Sequence, residues 1–286
     1  ATGGSTASIL RRLCVWHDSS GSGLRVGDGA CDVYNLANMK IDDREQESRT
    51  APLPGRCFAL LPCAGVGSRA GTAQPKQYEP LAGKLLVEHT LAAFASVERM
   101  AGVHVVVTPG DATLRMPQAT WNVIDGGGPT RAASVFNGLR YLLASETATR
   151  DDWVLVHDAA RCLILPEQID ALIDACLPDA VGGLIALPLP DTLKRSVDQR
   201  SAATIDRADK WLAQTPQMFR VGALHDALEA RAAMDFAGIT DEASAMEAAG
   251  LRPLLVPGSA QNFKVTYPQD FALAEAIFWQ RTHRPV

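Results

Sequence analysis

The residues best suited to chemistry lie in one stretch, Phe58 to Tyr78. An apolar run, Phe58-Ala-Leu-Leu61, reads as a buried strand that stops at Pro62 and opens into a loop holding Gly65, Gly67 and Gly71. Arg69 and Lys76 sit in or just after that loop. Small residues let the backbone approach a ligand closely and turn its N–H groups toward anionic oxygens. Two cations beside such a loop make a polyphosphate its natural guest. Gly65-Val-Gly-Ser-Arg-Ala70 also fits the dinucleotide pattern G-x-G-x-x-A, but that pattern normally runs straight into an apolar helix. Here Gly71, Gln74, Pro75 and Lys76 follow, so no long helix can begin. A Walker-type loop would need G-K-[ST], which does not follow. A long loop wrapping a nucleoside triphosphate is the favoured reading, with a structural glycine turn as the plain alternative.

Other candidates lie further along the chain. Asp158 follows the apolar run Trp153-Val-Leu-Val156, at the kind of strand end where open α/β sheets bind ligands. A turn aspartate is the plain alternative. His157 beside it ends an apolar run and reads as a packing residue. Arg161 could make a surface ion pair, and Lys264 in Phe263-Lys-Val-Thr266 could be a solvated strand edge.

These groups need a scaffold, and the sequence describes one. Val87, Leu91, Phe94 and Ala95 make a one-faced helix. Val103–Val107 and Trp121–Ile124 read as strands, the second running into Asp125-Gly-Gly-Gly-Pro129. Val135, Leu139, Leu142 and Leu143 form the next helical stripe, followed by the strand Trp153–Val156. Ile169, Leu172, Ile173, Cys176 and Leu177 mark a helix with Pro166 in its first turn, before a fifth strand, Gly182–Leu187. This alternation predicts an α/β fold: a three-layer, Rossmann-like, mostly parallel sheet with helices on both faces. The rhythm breaks over Pro188–Leu212, which carries nine charged residues and two prolines and reads as a projecting β-arm or hairpin. Helices over Val221–Ala233 and from a Thr240 N-cap follow, then a strand over Leu251–Val256 and a terminal amphipathic helix with Pro268 near its start.

The chain has 286 residues, 47% hydrophobic and 21% charged, with a net charge of −5. That balance offers no global basic field for nucleic acid. No apolar run approaches the roughly 18 residues of a membrane span. The six cysteines form no C-x-x-C pair, which fits buried or incidental thiols in a reducing cytoplasm. Residues 1–55 show no persistent apolar pattern and are expected to be a disordered extension before a domain at 56–286. Within that extension, residues 1–38 are expected to be an upstream translation artefact. The chain ends soon after the terminal helix, so no fused downstream cyclase domain is expected.

Ala64-Gly-x-Gly-x-Arg69 with Pro75-Lys-Gln-Tyr78 resembles the nucleotidyltransferases, and the Pro-Lys-Gln-Tyr form resembles one branch. That branch is the 2-C-methyl-D-erythritol 4-phosphate cytidylyltransferases of the non-mevalonate isoprenoid pathway. Further matching runs follow in order: Asp125-Gly-Gly with Arg131-Ala-Ala-Ser134, Val156-His-Asp-Ala-Ala-Arg161, Asp191-Thr-Leu-Lys194 and Ile205-Asp-Arg207. Thr215-Pro-Gln217, Thr240-Asp-Glu-Ala-Ser244 and Asn262-Phe-Lys-Val-Thr266 complete the set. The resemblance covers about Phe58 to Arg281.

The resemblance implies transfer of CMP from CTP to a sugar-alcohol phosphate with release of pyrophosphate. A phosphomonoester with a second pKa of about 6 is already a competent nucleophile at neutral pH, so no general base is required. Arg69, Lys76 and Lys264 match the charge-stabilising positions. Ala64, Gly65 and Gly67 match the nucleotide loop, and Gly126, Gly127 and Ser134 match the region that reads cytosine. Asp158 would lie near ribose and Mg²⁺, which bridges the triphosphate oxygens, and Arg161 would join the active site. Thr192, Arg207, Thr215 and Thr240, with Lys264, match positions that hold methylerythritol phosphate. In the family such an arm reaches over a second subunit, so the resemblance implies a homodimer with a shared active site. Gly128-Pro129-Thr130 departs from relatives that carry an acidic residue in that turn, which leaves its side-chain contacts open. Two rivals remain: a cytidylyltransferase for another polyol phosphate such as ribitol 5-phosphate, and an inactive nucleotide-binding regulatory protein.

Overall fold

The computed structural model describes residues 55–65 and 74–283. The expected N-terminal extension, apart from Gly55, therefore lies outside the described residues, as do Gly67 and Arg69. The first strand, β1 (Cys57–Pro62), alternates its side chains between two buried faces. Ala59 and Leu61 enter one core with Val87, Leu91 and Phe94 of α1 (Leu86–Ala95) and with Ile169, Leu172 and Ile173 of α3 (Pro166–Cys176). Phe58 and Leu60 enter another. There they meet Val135, Leu139 and Leu142 of α2 (Arg131–Ala144), Leu224 and Leu228 of α4 (Val221–Ala232), and Met246 of α5 (Glu242–Ala248). Burial on both faces is why β1 reads as an unbroken apolar run.

Between β1 and α1 lies a small hairpin of β2 (Pro80–Leu81) and β3 (Lys84–Leu85). The remaining strands of the sheet are β4 (Met100–Val107), β5 (Asn122–Asp125), β6 (Trp153–Val156), β7 (Gly182–Pro188), β10 (Trp211–Arg220) and β11 (Leu254–Pro257). With β1 they form one seven-stranded sheet in the order β11-β7-β10-β6-β1-β4-β5. All pairings are parallel except those of β10, which runs antiparallel to both β6 and β7. The sheet is thus mostly parallel, flanked by helices on both faces.

The arm is a separate two-stranded sheet, β8 (Leu193–Val197) with β9 (Arg200–Ile205). Asp198 and Gln199 turn it with φ of 48° and 61°, the left-handed pair that a two-residue hairpin loop requires. The expected limits of the arm need adjusting, because Trp211 and Leu212 pair with Pro188 and Leu187 in the main sheet. The cap of α5 is Asp241, whose carboxylate accepts from Ser244 N, and not Thr240. The last strand starts at Leu254, three residues later than its apolar run suggests. The terminal helix α6 (Pro268–Thr282) covers a smaller core through Ala274, leaving Leu273 and Trp279 exposed.

Candidate active site

The carboxyl ends of β1, β5 and β6 open onto a cavity of about 610 Å³. That is where a parallel sheet of this kind receives ligands. Pro62 to Gly65 leave β1 along one side, and Lys76 and Gln77 return beneath them. Gln77 is buried and donates through Nε2 to Cys63 O at 2.9 Å and Gly65 O at 2.8 Å, which fixes the start of the glycine loop. Gly127 closes the opposite wall, its N–H donating to Val107 O at 2.8 Å. A Cβ on Gly127 would sit 2.4 Å from Ala64 Cβ and 2.8 Å from Val107 O, so the wall can approach this closely only with glycine there. Ser134 Oγ accepts from Gly128 N at 3.0 Å and donates to Thr130 O, holding the turn that enters α2.

Charge converges on Asp158. Its Oδ1 accepts from Arg131 Nε at 2.7 Å, its Oδ2 lies 2.7 Å from Lys264 Nζ, and Arg161 Nε is 3.9 Å away. Burial alone would raise this carboxyl, but the charges of Arg131, Lys264 and Arg161 outweigh it and hold Asp158 well below the usual carboxylate range. Lys76 Nζ donates to Val265 O at 2.7 Å and also lines the cavity. The cavity is therefore lined by Lys76, Arg131 and Lys264 around the single carboxylate Asp158, among the described residues.

Of the expected site residues, Ala64, Gly65, Lys76, Gly127, Ser134, Asp158 and Lys264 line this cavity together. Gly126 sits one residue behind the wall, its carbonyl accepting from Asn137 Nδ2. Arg161 lies beneath, donating through Nη1 to Asn262 O at 2.7 Å. Thr215 is buried behind Asp158, its Oγ1 accepting from Asp158 N at 3.0 Å. Thr192 and Arg207 are exposed and flank the two strands of the arm, and Thr240 borders a second groove with Lys210 and Trp211.

His157 is fully buried against Phe94, with Thr215 Oγ1 at 3.1 Å from Nδ1. Burial lowers it to about 3, so it is neutral. His104, buried with no hydrogen-bond partner for either ring nitrogen, is lowered to about 4 by burial. Both shifts make the unfolded chain the better proton acceptor below about 6.5. Stability is then full above that pH and falls as the pH drops toward about 4, where native His104 starts to protonate. Denaturation at pH 7.5 and pH 5 should show a loss on the order of 1 to 2 kcal/mol per histidine at the lower pH. Equal midpoints would contradict this reading.

Two residues of the site carried no role in the sequence reading. Arg131 bridges Asp158 to Glu242, donating through Nη1 and Nη2 to Glu242 Oε1 and Oε2 at 2.7 and 3.0 Å. A signal for Arg131 was available. It opens α2, where a cation opposes the helix dipole, and such a placement asks for a nearby carboxylate. Glu242 gave none, because an acid in the first turn of α5 is favourable wherever it points.

Residues 57–280 match the family described as IspD, 2-C-methyl-D-erythritol 4-phosphate cytidylyltransferase. The chain belongs to this family. A 2-C-methyl-D-erythritol 4-phosphate cytidylyltransferase of Paraburkholderia phytofirmans is 52% identical over 232 residues, which cover 79% of this chain and 97% of that protein. The bifunctional enzyme IspD/IspF of Albidiferax ferrireducens is 63% identical over 239 residues, 82% of this chain. The match spans only 55% of that relative, about half its length. Among solved structures, a 4-diphosphocytidyl-2C-methyl-D-erythritol synthase superposes with a TM-score of 0.69 at 41% identity, covering 79% of this chain and 99% of the other. The cytidylyltransferase of Francisella tularensis gives 0.67 at 31% identity, over 79% of this chain and all of its own. As a member of the IspD family the chain is a nucleotidyltransferase, and its cation-lined cavity at the carboxyl end of β1 and β6 is the candidate site for that chemistry.

Proposed function

We propose that this cavity binds CTP and passes its CMP unit to 2-C-methyl-D-erythritol 4-phosphate, releasing pyrophosphate. The observation that carries the reading is the set of cations, Lys76, Arg131 and Lys264, gathered around Asp158 at the end of β6. The phosphate oxygen of the acceptor attacks the α-phosphorus of CTP, a P–O bond forms, and the bond to the β-phosphate breaks with its electrons on pyrophosphate. No proton needs removing from a dianionic phosphate, which suits a site where the imidazole of His157, next to Asp158, is buried and neutral. Rate enhancement then comes from alignment and from cations placed where charge grows, on the α-phosphoryl oxygens and the leaving group. Lys76 and Lys264 fill that role, with Arg69 from the loop outside the described residues. Ala64 and Gly65 are assigned to the triphosphate, with Gly67 of the loop outside the described residues, and Gly127 and Ser134 to the base, with Gly126 behind them. Arg161 braces the floor of the site by holding the segment at Asn262.

Mg²⁺ fits this donor set in one way. Asp158 is the one carboxylate lining the cavity among the described residues, and each of its oxygens already accepts from a cation. Asp158 would hold the ion through a single oxygen, and its remaining ligands would have to come from phosphates and water. When bound, Mg²⁺ neutralises triphosphate charge.

The methylerythritol phosphate is assigned to Thr192, Arg207 and Thr240 with Lys264, while Thr215 keeps Asp158 in place. The exposed arm supports a homodimer in which Thr192 and Arg207 complete the partner's site, since its two strands leave unpaired edges. Arg207→Ala should raise the KM for the polyol phosphate about tenfold or more and leave that for CTP within about twofold. Equal effects on both would place Arg207 elsewhere.

The test is to supply each of the four ribonucleoside triphosphates with methylerythritol phosphate and identify the product by mass. A cytidine diphospho-sugar alcohol from CTP alone is expected. An unchanged CTP pool would overturn the proposal.

A further inference from the structure

We infer that Glu242 is a positioning residue for nucleotidyl transfer, acting through Arg131 to fix Asp158. The inference rests on the reading of the cavity as the cytidylyl-transfer site. Glu242 does not line the cavity. Its side chain is only 2% exposed, yet both oxygens engage the Arg131 fork, and the third Arg131 donor, Nε, is thereby presented to Asp158 Oδ1. Burying a carboxylate this deeply is costly, so a partner with bidentate geometry must compensate it.

The turn that carries Glu242 is itself anchored. Gln217 of β10, 1% exposed, accepts from Ala243 N at 2.7 Å and donates to Asp241 Oδ2 at 2.9 Å. Asp241 accepts from Ser244 N, and Ser244 Oγ accepts from Thr240 N and Asp241 N. Glu242 is thus fixed by the sheet, Arg131 by Glu242, and Asp158 by Arg131.

The arrangement makes a directional expectation. Arg131 stands at the positive end of α2 with anions on two sides. Without the Glu242 charge, its Nη groups turn to the next anions available, Asp158 and the bound triphosphate. CTP would then bind at least as well, because one negative charge has left its surroundings. The chemical step would slow, because Asp158 and the α-phosphate are no longer held in register.

The experiment measures kcat, KM and calorimetric CTP affinity for the full chain carrying Glu242→Gln, alone and with Arg131→Lys. Rates are normalised to the fraction of protein that binds CTP, so partial misfolding does not mimic the effect. Glu242→Gln should lower kcat about tenfold or more with CTP affinity unchanged or tighter. Arg131→Lys, which keeps charge but loses the fork, should lower kcat by a similar factor. The double variant should be slower than Arg131→Lys by less than about twofold. An unchanged kcat in Glu242→Gln, a parallel loss of CTP affinity, or fully multiplicative losses would overturn the inference. Wild-type protein that binds CTP but forms no product would overturn the functional reading itself.

Discussion

Replacing Lys76 by alanine is expected to lower turnover about 10²-fold or more, with a modest loss of stability. The ammonium lines the cavity and is tethered 2.7 Å from Val265 O, so it is aimed before substrate arrives. A preorganised cation is worth most where charge grows in the transition state and water is excluded. A 10²-fold loss corresponds to about 2.7 kcal/mol of transition-state stabilisation. The tether itself is one partly buried hydrogen bond, a stability contribution of about 1 kcal/mol. Steady-state kinetics with a thermal melt separates these effects. A rate within about threefold of wild type would remove Lys76 from the mechanism.

Asp158→Asn is expected to cost both activity and stability. The carboxylate is buried and lies 2.7 Å from two cations on separate elements, Arg131 of α2 and Lys264 beyond β11. Asparagine preserves the shape but leaves Lys264 and the Nε side of Arg131 without their anion. Breaking a buried pair from one side costs about 3 kcal/mol, here reduced because Lys264 is partly exposed. Glu242 still holds the other side of Arg131, so the fold survives. Turnover should fall on the order of 10²-fold under the proposed role of Asp158 at the nucleotide. Denaturant unfolding and product formation on the same sample would check this. A variant as stable and as active as wild type would show that the cations do not depend on Asp158.

Much of this was legible in the sequence. The strands β1, β4, β6 and β7 announce themselves as apolar runs, and α1, α2 and α3 as stripes, because each is buried on both faces or on one. The central antiparallel strand β10 was not legible. Its segment Gln214-Thr-Pro-Gln217 is polar, yet Gln214, Thr215 and Gln217 are all buried. They are tolerated there because they bond one another's neighbourhood: Asn262 Nδ2 donates to Gln214 Oε1 and Thr215 O, and Gln217 bridges to α5. Such partners are distant in sequence and leave no periodic trace. For the same reason the strand end could mark Asp158 and the resemblance Lys264 as candidates, but neither could show that they face each other, nor that Arg131 joins Asp158 to Glu242. The resemblance assigns Thr215 to the substrate, but no spacing shows that its hydroxyl accepts from Asp158 N and lies 3.1 Å from His157 Nδ1.

The most direct measurement is pyrophosphate release from CTP by the purified chain with Mg²⁺, in three parallel reactions: methylerythritol 4-phosphate, ribitol 5-phosphate and no acceptor. Release should be rapid with methylerythritol 4-phosphate, slow with ribitol 5-phosphate and at background without an acceptor. Release at background in all three reactions, or faster with ribitol 5-phosphate, would contradict the proposed transfer.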